Sequence, residues 1–176
     1  IIGHIDKEGI TPRAILNTHA HYDHIGAVAE IKEKFSIPFY LHSSEQKVLK
    51  YVNLYRGLFD GDDPITIPGV DYNFDGPDTT LRFPGLELQI LFTPGHSQGS
   101  VCFLIEDNIF TGDTLLSGKI GRVDLPGGDR IALCESLRDL SQLFSETRIY
   151  PGHGKVSTLS IEIQKNSELL NAIHGD

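Results

Sequence analysis

From residue 13 onward, short apolar runs of β character alternate with stretches whose apolar positions recur every three or four residues, so strand and helix take turns. The opening Ile1-Ile2-Gly3-His4-Ile5-Asp6-Lys7 reads as a helix already in progress. Residues 14–18 then read as a buried strand. Residues 25–35 place Ile25, Val28, Ile31 and Phe35 on one helical face. A strand over 38–42 and a helix over 43–55 follow, with Ser43 or Ser44 as its cap. The Gly-, Pro- and Asp-rich stretch 57–78 reads either as a long loop bordering a site or as a disordered surface insertion. Beyond it, 79–83 and 86–93 form a hairpin around Pro84-Gly85, and 100–106 pairs with 108–111 around a tight turn at Asp107. Helices are expected over 129–143 and 159–173. Periodicity alone gives mixed α and β; no internal repeat or low-complexity linker divides the chain.

Candidate chemistry enters where strands end. His19-Ala20-His21-Tyr22-Asp23-His24 packs three imidazoles and a carboxylate into six residues, between a strand-like run and a helix-like one. A solvated loop has no need of four such groups, whereas zinc or iron uses these ligand types. Alternate positions such as His19 and His21 can point to one side of an extended segment, and Asp23 and His24, beyond the start of the turn, can face a second ion. Three glycine-bracketed turns carry more candidates: Pro94-Gly95-His96-Ser97, Thr111-Gly112-Asp113-Thr114 and Pro151-Gly152-His153-Gly154. Each follows a short β-type run, so each ligand projects from a strand end, and glycine permits the close approach that convergence demands.

These motifs, with Thr18 ahead of the first, Thr93 ahead of the second, and Gly121-Arg122-Val123-Asp124-Leu125-Pro126-Gly127-Gly128-Asp129 between the last two, resemble the metallo-β-lactamase superfamily in its hydroxyacylglutathione hydrolase (glyoxalase II-like) branch. The resemblance covers essentially the whole chain. It implies an α/β fold, the αββα sandwich, here as a single domain over 1–176 lacking its N-terminal strands. It implies two divalent metal ions, zinc foremost, with iron or manganese suiting the same ligands. His19, His21 and His96 would bind one ion and Asp23, His24 and His153 the second, with Asp113 bridging. The implied activity is that of a metal-dependent hydrolase, in which a metal-bridging hydroxide cleaves a small-molecule thioester such as a hydroxyacylglutathione. Asp23 and Asp113 would be the catalytic carboxylates. Arg122, where such proteins carry a basic residue near the bound thiol compound, would pair with a substrate carboxylate, unless it forms a salt bridge to Asp124 or Asp129. The same scaffold also hosts a mononuclear iron persulfide dioxygenase, with iron at positions equivalent to His19, His96 and Asp113, and hydrolases of lactones or other esters. True β-lactamases resemble the chain at the histidines but lack an aspartate at position 113.

Composition adds boundaries. At 176 residues the chain suffices for one good core. Its net charge of -9 speaks against a nucleic-acid surface, and no run is long enough to span a membrane, so a cytoplasmic enzyme is expected. Cys102 and Cys134 read as small buried hydrophobes in a reducing compartment. With no methionine in the chain, a further N-terminal stretch is expected. His4, His42 and His174 lie outside the motif pattern and read as surface or supporting residues. Thr18, Ser97 and Thr114 read as backbone caps or as partners of ligand side chains.

Overall fold

Phe39, Leu41 and His42 are buried and Tyr40 half-buried, as suits the central strand of the first of two compact units, 1–74 and 75–176. The structure, a computed structural model, describes residues 1–59, 61, 63–75 and 79–175. In the first unit, α1 (Ile2–Glu8) stops at Gly9, and β1 (Ile15–Leu16) leads into α2 (Tyr22–Ile25) and α3 (Val28–Phe35). Then come β2 (Phe39–His42), a 3-10 turn (Ser43–Glu45), α4 (Gln46–Lys50), α5 (Val52–Phe59) and β3 (Tyr72–Phe74). The three strands run parallel in the order β1-β2-β3, with Ile15 opposite Phe39 and Tyr40 opposite Tyr72. Ala20, Ile25, Val28, Phe39, Leu41, Val48, Leu49 and Val52 form the core.

Several boundaries differ from the pattern reading. The helix expected over 25–35 is two, because the Gly26 N–H closes α2 on Tyr22 O and α3 starts afresh at Val28. The helix expected over 43–55 begins as a 3-10 turn, and its cap is neither Ser43 nor Ser44 but His42, whose Nδ1 accepts the Ser44 N–H at 3.2 Å. The stretch 57–78 is not all loop, since α5 runs to Phe59 and β3 takes up Tyr72–Phe74. Part of the remainder is tied down. Asn53 exchanges two hydrogen bonds with the Ile65 backbone, Lys32 Nζ donates to Gly69 O, and Asp71 accepts from Phe39 N and pairs with Lys32 at 2.7 Å. Positions 60, 62 and 76–78 of that stretch lie outside the described residues.

The second unit is a six-stranded sheet. Strands β4 (Thr79–Phe83), β5 (Leu86–Phe92), β6 (Val101–Ile105) and β7 (Asn108–Gly112) form antiparallel neighbours. A small hairpin, β8 (Leu115–Leu116) with β9 (Lys119–Ile120), and helix α6 (Arg130–Leu140) follow. Strand β10 (Arg148–Pro151) pairs parallel to β7, and β11 (Ser157–Thr158) leads into α7 (Leu159–Lys165) and α8 (Ser167–His174). The order is β11-β10-β7-β6-β5-β4. Ile109 and Ile149 of the sheet pack with Leu133, Leu137 and Leu140 of α6 and Leu169 and Ala172 of α8. Cys102 is fully buried in this core, and Cys134 packs against it from α6.

Asp129 caps α6, its Oδ1 accepting from Ile131 N and Ala132 N, so the helix starts one residue later than expected and ends at Leu140. The span 159–173 is two helices jointed at Asn166. Its side chain caps α8 through Leu169 N and donates to Glu162 Oε2 and Lys119 O. Buried Glu162 also takes the Gly118 N–H and the Ser157 hydroxyl. This network fastens the β8–β9 hairpin to the helices, as buried polar groups require. Among the described residues no helix is long and apolar enough to cross a membrane.

Candidate metal centre

In the first unit, β1 ends at Leu16 and the chain turns through Asn17 and Thr18 to His19, fully buried. Thr18 Oγ1 lies 3.1 Å from His19 Nδ1, so a ring protonated at Nδ1 keeps Nε2 as its lone-pair donor. His21 is the extended residue that starts α2, and Asp23 and His24 occupy that single helical turn. The His19 and His21 rings meet edge to face with centroids 4.8 Å apart, and the His19 and His24 centroids are 4.1 Å apart. Asp23 Oδ2 stands 3.5 Å from His24 Nε2. The four candidates of this unit are thus gathered at one loop.

Two residues that sequence reasoning passed over hold the loop. Glu45, fully buried on the 3-10 turn, accepts the Ala20 N–H at 2.8 Å, and Asn17 Nδ2 donates to His24 O at 3.0 Å. Neither carries a local signal. Glu45 resembles any acidic residue in a first helical turn, and its partner lies 25 positions away.

In the second unit, His96 follows β5 in a turn pressed against α6. Gly95 has φ +133°, and a Cβ there would fall 2.2 Å from Leu133 N, a place and a backbone that only glycine accepts. Gly95 O accepts from Asp129 N and Pro94 O from Ser136 Oγ, which clamps the turn to α6. His96 is 1% exposed, and its Nδ1 lies 2.8 Å from Arg122 O. A carbonyl only accepts, so Nδ1–H donates and Nε2 is the ring's lone-pair donor.

Asp113, at the end of β7, lies close by because Gly121 allows it: a Cβ on Gly121 would fall 2.0 Å from Asp113 O and 3.1 Å from His96 Cβ. His153 follows β10, whose turn is tied to that of β7 by the Gly152 N–H to Gly112 O bond at 2.7 Å. Asp113 Oδ2 is 3.8 Å from His96 Nε2 and 3.6 Å from His153 Nε2. The three ligand candidates of this unit are therefore also gathered.

These spacings test whether the donors fit an ion. A direct N–H···O bond closes to about 3.2 Å or less. Two donors about 2.1 Å from a shared tetrahedral ion stand roughly 3.4 Å apart. The separations of 3.5, 3.6 and 3.8 Å lie near the second figure, and the donor set of imidazoles and carboxylates is that of zinc, iron or manganese.

Arg122 meets His96 through its backbone carbonyl. Its guanidinium makes a two-pronged pair with Asp124 at 2.6 and 2.7 Å, the salt-bridge alternative weighed for it, and holds the Asp124 carboxyl down to about 2. Of the three neighbouring hydroxyls, Thr18 meets the candidate ligand His19, whereas Ser97 bonds Ser100 and Thr114 bonds Thr93. His4 and His174 are exposed on helices, and His42 is a buried cap.

The model of the metallo-β-lactamase superfamily matches residues 2–153. The chain is 40% identical over 167 residues to a probable metallo-hydrolase, YqgX, of Bacillus subtilis, covering 93% of this chain and 78% of that one. It is 30% identical over 176 residues to hydroxyacylglutathione hydrolase GloC of Haemophilus influenzae, covering 94% and 80%. Among solved structures, the BLEG-1 B3 metallo-β-lactamase superposes with TM-score 0.89 at 36% identity, over 96% of this chain and 82% of that one. TTHA1623 in a di-iron-bound form superposes with TM-score 0.85 at 38% identity, over 94% and 81%. Fold, ligand types and sequence likeness agree, and the chain belongs to the metallo-β-lactamase superfamily as a metallo-hydrolase of α/β fold.

Proposed function

We propose that His19, His21 and His96 hold one divalent ion and Asp23, His24 and His153 a second, with Asp113 shared, and that the protein hydrolyses thioesters of the hydroxyacylglutathione kind. The observation that carries this reading is the setting of Asp113, whose Oδ2 faces both His96 and His153 at 3.8 and 3.6 Å, a carboxylate suited to two ions rather than one. The likeness to GloC supports the substrate class, and the likeness to TTHA1623 in its di-iron-bound form supports two ions. Zinc is the first assignment and iron the second.

Two divalent ions held there would supply an acidified water and an electrophilic pole for the carbonyl oxygen. The protein supplies the rest. The Arg122 carbonyl holds the proton of His96 on Nδ1 and leaves Nε2 as its lone-pair donor, and the Thr18 hydroxyl, accepting from His19 Nδ1, would do the same for that ring. Exposed Asp23 is suited to accept a hydrogen bond from the attacking water and hold it toward the thioester carbon. Asp113, whose side chain is 13% exposed, offsets positive charge where solvent is largely excluded. A thiol nucleophile is not needed: burial pushes Cys102 up to about 12.

A mononuclear iron dioxygenase would use His19, His96 and Asp113 and leave Asp23, His24 and His153 without a role, which favours hydrolysis. The deciding experiment quantifies metal on the purified protein and assays S-D-lactoylglutathione beside a lactone and a β-lactam. Two ions per chain with thioester cleavage is the expected result. One iron per chain with oxygen uptake on glutathione persulfide would move the assignment to the dioxygenase, and cleavage of the β-lactam or lactone alone would overturn the thioester.

A further inference from the structure

We propose that Glu45 is a positioning residue for the metal centre: by accepting the Ala20 N–H it fixes the peptide between His19 and His21 and so aims both imidazoles at one ion. The inference rests on the metal reading above. Glu45 and Ala20 are both 0% exposed, so bulk water cannot replace the carboxylate as partner of that N–H. A buried carboxylate is costly to keep unless it is hydrogen-bonded. This one reaches across 25 positions to the backbone amide that separates two candidate ligands.

The direction of the Ala20 N–H is set by ψ of His19 and φ of Ala20. These two torsions, with the neighbouring pair at Ala20 and His21, decide the angle between the side-chain directions of residues 19 and 21. A carboxylate pinning the N–H therefore restricts how far the rings can swing from the edge-to-face arrangement observed, with an interplanar angle of 89°. The far side of the loop has its own tether, Asn17 Nδ2 to His24 O, so His19 to His24 is held from both directions. Glu45 acts on the ion through the ligands and makes no claim on the reacting atoms.

The test measures zinc affinity by competition with a chromophoric chelator, alongside the melting temperature of each metal-free protein. Glu45→Ala is expected to weaken zinc binding roughly 10- to 100-fold, the usual cost of losing support for a ligand. Glu45→Gln, which keeps an acceptor oxygen and removes the charge, is expected to restore most of that affinity. Equal zinc affinity in wild type and Glu45→Ala overturns the proposal, as does a Gln variant as weak as the Ala variant. Should Glu45→Ala fail to fold, Glu45→Asp decides in its place, since it keeps the charge but withdraws the acceptor by one methylene; unchanged affinity there overturns the proposal. A wild-type protein that binds no zinc, iron or manganese would sink the metal reading itself, an outcome separate from failure of the Glu45 role alone.

Discussion

Three glycines separate the two costs of adding a methyl group and so test how tightly the His96 turn is built. At Gly95 both costs apply, because φ is +133° and the methyl would lie 2.2, 2.3 and 2.5 Å from N, Cα and Cβ of Leu133. At Gly121 the cost is collision alone, with Asp113 O at 2.0 Å. At Gly85, the hairpin turn, φ is +79° with nothing within 4 Å, so the cost is backbone strain alone. Left-handed strain costs about 1–2 kcal/mol, and alanine recovers about 0.4–1 kcal/mol by restricting the unfolded chain. Gly85→Ala should therefore lose at most about 1.5 kcal/mol. Overpacking adds about 1–3 kcal/mol, and more where backbone atoms must move, so Gly95→Ala should lose roughly 3 kcal/mol or more. For a chain of this size each kcal/mol moves the melting temperature by about 2–4 °C, so a drop of about 10 °C is expected for Gly95→Ala and about 3 °C for Gly85→Ala. The assay is thermal unfolding followed by far-ultraviolet circular dichroism in excess chelator, which keeps lost metal from adding to the shift. Melting of Gly95→Ala within 2 °C or so of Gly85→Ala would refute the close packing of the turn on α6.

Arg122→Ala should leave zinc content and zinc affinity unchanged, because the residue meets His96 through its backbone carbonyl; loss of metal in that variant would contradict the assignment. Asp113→Ala should lower the metal content and abolish turnover, while His174→Ala does neither, as atomic absorption and the thioester assay would reveal; normal turnover without Asp113 would remove the shared carboxylate from the scheme. Cys102 should resist thiol-specific labelling of the native protein at pH 8 and react only on unfolding, since burial pushes its thiol from 9.0 up to about 12. The sign follows: the folded pKa is raised, so its contribution to stability is whole below about pH 9 and lost as pH climbs toward about 12, and alkaline melts of Cys102→Ser should show a weaker decline over that window.

The gathering of the candidate ligands His96, Asp113 and His153 was legible because residue type and location spoke together: they stand in glycine turns after apolar runs, and strand periodicity is a short-range property. Helix breaks were not. Ile25, Val28, Ile31 and Phe35 keep one apolar phase straight through the break at Gly26 and Ala27, so periodicity reports a single helix where the backbone makes two. The joint at Asn166 is equally silent, because what halts α7 there is a set of bonds to Glu162 and Lys119 that depend on the folded hairpin. The cap of the turn after β2 was misplaced because serines are the commoner caps, whereas here the His42 ring reaches the amide first. Glu45 shows the limit most clearly. Its partner is a backbone amide, and a backbone amide leaves no residue type in the sequence for reasoning to find.

The joint between α7 and α8 has an evolutionary consequence. Glu162, Asn166, Ser157 and the Gly118 amide satisfy one another, so trimming any one side chain leaves the rest with desolvated groups and nothing to compensate them. Relatives should therefore have exchanged these three side chains as a block, either keeping the trio or replacing it with an apolar one of like volume, and lineages caught midway should be rare.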